Sequence, residues 1–227
     1  MSAIHTTVVT KDAVDAAFCE FVRDPLFPCL AGKGVVNSNG NEMGVYDALG
    51  SSRSTRELSR DLGAFVRTIA AEDAALRTFV AVFPGAIAIE ESAFEHQLWT
   101  QLQRLHDTEG ADAPWDAAVS DDPDDPDFSF SHAGCALFVV GLHPRSSRMA
   151  RRFRWPTLVF NPRAQFERLR ADGKFERLRG LVREREIALQ GTLNPNLADF
   201  GERSEARQYS GRATEQDWQC PFHRQQK

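Results

Sequence analysis

Residues 141–153, GLHPRSSRMARRF, set one imidazole, two hydroxyls and four guanidinium groups within ten residues: His143, Ser146, Ser147, Arg145, Arg148, Arg151 and Arg152. A neutral imidazole nitrogen can ligate a haem iron. Guanidinium groups are the natural bidentate partners of carboxylates, whether haem propionates or the acid group of a substrate. The plainer alternative is a solvated turn in which His143 hydrogen-bonds locally and the arginines meet water. Residue types alone do not decide between the two.

Other candidates are scattered. His96 and His106 fall ten residues apart on one expected helix, nearly three turns and about 15 Å, too far to share a metal. His106, beside Leu102 and Leu105, is either an axial ligand aimed into a pocket or a half-buried helix histidine. Glu90, Glu91 and Glu95 could hold a cationic group, though carboxylates also favour a helix N-terminus for dipole reasons. Cys29 in FPC, and Cys220 with His223 in DWQCPFH, offer thiolates that could support oxygen activation on iron; each cysteine also reads as a small buried hydrophobe. No P-loop, GxGxxG, GxSxG or HExxH pattern is present, which removes the commonest nucleotide-binding, hydrolase and zinc-protease explanations.

The elements that must position these groups follow from periodicity. Residues 11–23 place Val14, Ala17, Phe18, Phe21 and Val22 on one helical face, ended by Pro25 and Pro28, and FPCLAGKG reads as a loop. A Gly/Asn-rich stretch leads to a second helix, with a capping pattern at Ser54-Thr55-Arg56-Glu57. TFVAVFPG reads as a strand and SAFEHQLWTQLQRLHD as a helix; CALFVVGL and TLVFNP are two further strands. Five Asp with two Pro at residues 121–127 make a solvated loop. Residues 163–190 read as a charged-faced helix with a break at Gly173, and a long ordered loop follows Gly191. Together these predict a single α+β domain over residues 1–227, with a small, mostly antiparallel sheet and several packed helices.

Composition narrows the setting. With 42% hydrophobic and 26% charged residues and a net charge of −5, the chain reads as soluble, globular and cytoplasmic, with no run long enough for a membrane span. Four cysteines without a CxxC pair read as reduced thiols. From residue 143 to 185, thirteen Arg or Lys stand against four Asp or Glu, leaving −14 for the rest. That asymmetry points to an anionic partner, and a small carboxylate or phosphate fits an acidic chain better than nucleic acid does.

Six blocks in order carry a resemblance over residues 27–222: FPC, EESAFEHQLWTQLQRLHD, FSFSHAGCALFVVGLHPRSSRMARRF, LVFNPRAQFERLR, LQGTLNPNLADFGERSEARQYSGR and WQCPF. The sequence resembles the YqcI/YcgG-like family. The resemblance implies a haem b iron enzyme that oxidises a side-chain guanidino or amine nitrogen of an amino acid such as arginine or lysine. It would use O2 and an external electron-donor reductase, as in natural-product biosynthesis. A haem-binding or haem-sensing protein without turnover is the alternative. On that implication His143 is expected as the metal ligand, with His106 as runner-up and Cys29 third. Arg148, Arg151, Arg152 and Trp155 are expected around the cofactor, with Trp99 and an apolar wall from Phe138, Val139, Val140 and Leu142. Glu95, Glu202, Glu205, Arg207 and Asn161 are expected at the substrate, and Tyr209 and Ser210 as hydrogen-bonding catalytic residues. Expected partners are the amino acid, O2 and the reductase, with no nucleic acid and no membrane, and a homodimer left open.

Overall fold

The computed structural model describes residues 9–70, 75–85, 90–110, 112–197 and 202–224. Helix α1 (Lys11–Arg23) begins where Thr10 Oγ1 accepts the Ala13 N–H at 3.3 Å, and it buries Val14, Ala17, Phe18 and Val22. Then come α2 (Leu30–Asn37), β1 (Asn41–Val45), α3 (Ser52–Ala70), β2 (Thr78–Val82), α4 (Glu91–Glu109), β3 (Ser131–His132) and β4 (Cys135–Leu142). A 3-10 turn (Met149–Arg151) precedes β5 (Thr157–Pro162), α5 (Arg163–Ala171), α6 (Phe175–Gln190) and α7 (Ala206–Tyr209).

The five strands form one sheet in the order β1-β2-β5-β4-β3. Only β1 and β2 run parallel, joined through α3; β2–β5, β5–β4 and β4–β3 are antiparallel. This is the α+β architecture expected. Alternation along β2 assigns the two faces. Phe79 and Ala81, with Leu137, Val139, Leu158 and Phe160, pack into a core with Leu58, Leu62 and Phe65 of α3 and Leu98, Leu102 and Leu105 of α4. Val80 and Val82 instead join Val14, Phe18 and Val22 of α1, together with Phe153 and Val159. Residues after α7 close the first core, where Cys220 and Phe222 are buried. Among the described residues no helix is long and apolar enough to cross a membrane.

Three local expectations change. The segment read as a loop, FPCLAGKG, runs into α2: Cys29 caps it, its Sγ accepting the Gly32 N–H at 3.3 Å. Gly32 and Gly34 weaken the helical signal, but burial of Val35 and Val36 outweighs that deficit. Within the Gly/Asn-rich stretch lies β1, an edge strand whose Gly44 is required because a Cβ there would strike the Tyr46 ring. Helix α3 starts two residues before Ser54, with Ser51 Oγ accepting the Ser54 N–H at 3.1 Å. The break at Gly173 is where the sequence puts it, with φ of +67° between α5 and α6.

Candidate functional site: an apolar cavity under α6

Helix α6 turns Phe175, Leu178 and Val182 inward at helical spacing. The Arg170 guanidinium lies over the Phe175 ring, 4.2 Å from its centroid. The three side chains face a cavity of about 290 Å³, whose opposite wall includes Phe138 of β4 and Phe166 and Leu169 of α5. Arg163, Arg170, Arg179, Arg183 and Arg203 also line it, with Glu186 and Glu205 as its carboxylates. Cys29 reaches the same cavity from the start of α2. Burial pushes its thiol pKa up, against the pull of the Gly32 and Ala31 backbone N–H groups. Left to itself the sulfur therefore stays protonated, while a bound cation would find a thiolate already provided with hydrogen bonds from a helix N-terminus.

Glu205 sits at the cavity wall in a closed network. Its Oε1 accepts the Tyr209 hydroxyl at 2.6 Å and the Ser129 hydroxyl at 2.7 Å, and Arg163 lies 3.4 Å from Oε2. Burial pushes its pKa up to about 6, with these hydrogen bonds and Arg163 pulling the other way. Tyr209 is fully buried, stacked on Trp99, and also accepts the Phe130 N–H at 3.1 Å.

Of the expected site residues, the structure thus brings Cys29 and Glu205 together on one cavity with Phe138, and Tyr209 behind Glu205. His143 lies elsewhere, 1% exposed at the end of β4, its ring stacked on Phe94 with centroids 4.4 Å apart. Neither ring nitrogen has a hydrogen-bond partner among the described residues, and burial pushes its pKa down to about 4. His106 is buried against Trp115 and Phe222, while His96 is exposed; ten residues fall about 80° short of three turns.

The arginines after His143 are occupied with the chain itself. Arg148 donates to Glu186 at 2.9 Å and to the Thr192 carbonyl at 2.6 Å. Arg151 donates to the Tyr209 carbonyl at 2.9 Å, and burial pushes its pKa down to about 10. Arg152 donates to the Ser146 carbonyl at 2.7 Å, and Trp155 packs edge-on against Phe153. Glu95 accepts from the Ser210 hydroxyl at 2.9 Å and from Arg212 at 2.7 Å. Arg207 donates to the carbonyls of Glu215, Gln216 and Trp218, and Asn161 donates to the Phe138 carbonyl between strands. Glu202 is exposed and outside the cavity lining.

A family model, YqcI/YcgG, matches residues 18–223. The chain belongs to the YqcI/YcgG family. No curated protein and no solved structure matches it. The YqcI/YcgG match contains every residue of the cavity wall, from Cys29 to Gln208. Sequence reasoning missed the apolar lining of Phe166, Leu169, Phe175, Leu178 and Val182, together with Glu186 and the lining arginines Arg163, Arg170, Arg179, Arg183 and Arg203. Four of these arginines belong to the basic block, and Arg179 and Arg183 repeat at i, i+4 beside Leu178 and Val182. That spacing was legible as one helical face.

Proposed function

We propose that this protein is a haem-dependent N-oxygenase acting on a guanidino or amine nitrogen of an amino acid such as arginine or lysine, with O2 and an external reductase. The observation that carries the reading is the cavity itself: apolar and aromatic walls, a helix-capped thiol on one of them, and arginines around it. Those residues fit a porphyrin. Phe138, Phe166, Phe175, Leu178 and Val182 would pack its faces and edges, and the lining arginines would meet its propionates. Cys29 takes the place of His143 as the proposed iron ligand, because Cys29 lines the cavity and His143 does not. When bound, haem supplies the redox chemistry that activates O2.

The chain's own residues do the remaining work. The backbone N–H groups at the start of α2 hold charge on the Cys29 sulfur. The apolar walls keep water from the reacting nitrogen. Glu205, on the same wall with a pKa of about 6, is placed to accept a proton from, or a hydrogen bond of, a cationic nitrogen near neutral pH. Its Oε1 is already shared by two hydroxyls, which hold the carboxylate in one orientation.

The test is an absorption spectrum of protein expressed with haem precursor, wild type beside Cys29→Ser and His143→Ala. Serine keeps an oxygen to cap α2, so a lost band reports ligation and not a broken helix. The expected result is a Soret band in wild type and His143→Ala that is lost in Cys29→Ser, together with O2 uptake on adding arginine or lysine. A band without substrate-dependent uptake leaves a haem-binding protein without turnover. A colourless wild type rejects the reading.

A further inference from the structure

We propose that Arg185 is a positioning residue that fixes Cys29 from the roof of the cavity, an inference that rests on Cys29 being the ligand proposed above. Arg185 stands on α6, two residues after the cavity-lining Arg183 and next to the cavity-lining Glu186. Its Nη2 donates to the Pro25 carbonyl at 2.6 Å and to the Phe27 carbonyl at 3.2 Å. One guanidinium therefore spans the turn that ends two residues before Cys29, from a helix 158 to 160 residues away in sequence. Its Nε is buried without a partner among the described residues, so the side chain forgoes one hydrogen bond to make these two.

The rest of the turn cannot supply the same restraint. Its local bonds are Leu26 N–H to Asp24 Oδ1 at 2.7 Å and Phe27 N–H to the Asp24 carbonyl at 2.9 Å, both within the turn itself. Lys33 reaches the Pro25 carbonyl at 3.2 Å from the first turn of α2, the helix that Cys29 caps, and so moves with Cys29. Phe27 packs on Phe21 of α1, which holds the ring and leaves the carbonyls unrestrained. Arg185 alone among these ties the turn to the opposite side of the cavity. Beside it, Glu186 pairs with buried Arg148 at 2.9 Å, so α6 is itself anchored at the point where the clamp acts. The position of Cys29 and the position of the roof are thereby one variable. A ligand that lifts α6 pulls on the turn before Cys29, and a metal that draws on the sulfur pulls on α6.

The experiment has a haem-free and a haem-loaded arm. In haem-free protein the rate of alkylation of each cysteine by iodoacetamide is read by peptide mass spectrometry for wild type, Arg185→Ala, Arg185→Lys and Lys33→Ala. Arg185→Ala is expected to speed Cys29 on the order of tenfold, as local opening becomes easier on losing two charge-assisted hydrogen bonds. Arg185→Lys recovers part of the protection and Lys33→Ala changes little. An unchanged Cys29 rate overturns the proposal. Equal acceleration of Cys19, Cys135 and Cys220 also overturns it, since Arg185 would then only hold the fold. In haem-loaded protein Arg185→Ala shifts the ferrous carbon monoxide band while His143→Ala does not. If wild type takes no haem yet Arg185→Ala still exposes Cys29, the clamp stands and the oxygenase reading is what fails.

Discussion

Helices α4 and α6 are of similar length, 19 and 16 residues, yet they are used in opposite ways. Helix α4 buries eight residues, including Phe94, Leu98, Trp99, Leu102 and Leu105, while α6 buries none. Both carry an apolar stripe, so the difference is in what the stripe meets. On α4 it meets the sheet, and the helix is held by dispersion and removal of water. On α6 it meets a cavity, and the helix hangs on polar ties at Arg148, Arg185 and Gln190. A helix with apolar residues facing space is what a binding site costs in folding free energy, and the packed half of the molecule offsets that cost.

The largest expected effect is therefore on the packed side. Leu102→Ala should lose about 2 to 5 kcal/mol in urea unfolding, as a fully buried leucine leaves a cavity. Leu178→Ala on α6 should lose roughly 1 kcal/mol or less in the same measurement, and, on the function proposed above, should release haem measurably faster. Equal destabilisation by the two would abolish the distinction between the helices.

The two halves should also respond oppositely to pH. His143, stacked on α4, has its folded pKa pushed down to about 4 from 6.5. Below pH 6.5 the unfolded chain binds the extra proton, so this group costs roughly 3 kcal/mol of stability as pH falls from 6.5 to 4. Glu205, at the cavity, has its folded pKa pushed up to about 6 from 4.5. Here the folded state holds the proton more tightly, so roughly 2 kcal/mol is lost as pH rises from 4.5 to 6. Between pH 4.5 and 6 the two slopes oppose each other and the wild-type curve is nearly level, so in denaturation measured across pH 4 to 7 His143→Gln should lose stability as pH rises through that window and Glu205→Gln should gain it. A variant that leaves the wild-type curve unchanged removes that group from the account.

The smallest effect concerns the hinge. Gly173 has a φ of +67° with open space where a side chain would go, so Gly173→Ala should cost roughly 1 kcal/mol of backbone strain alone. Hydrogen exchange should quicken in α6 and not in α4. Quickening in both would mean that the helices unfold as one unit.

Much of the fold was legible because its cores are periodic. The strands at β2, β4 and β5, the helix at α1 and the break at Gly173 all follow from alternation, helical spacing and a glycine. Helix α2 and strand β1 were hidden because their glycines and asparagine carry weak propensity and their stability comes from Val35, Val36 and pairing with β2. The site was legible only in part. Cys29 and Glu205 were named, but GLHPRSSRMARRF drew attention by its density of charge, and local sequence cannot show that Arg148, Arg151 and Arg152 are spent on carbonyls and Glu186. The cavity arginines of α5 and α6 looked like a solvated face because a stripe facing a cavity and a stripe facing a core have the same period.

The closing of the first core by residues after α7 has a consequence for synthesis. Phe222 packs against Trp115, Phe128 and Phe130, and Tyr209 against Trp99 and Phe138. Those partners are all translated earlier and wait, with aromatic surface uncovered, until residues 209 to 222 have followed them out of the ribosome. A chain cut shortly before Tyr209 would leave Trp99, Trp115, Phe128, Phe130 and Phe138 without these partners, and exposed aromatic surface of this kind is where aggregation begins.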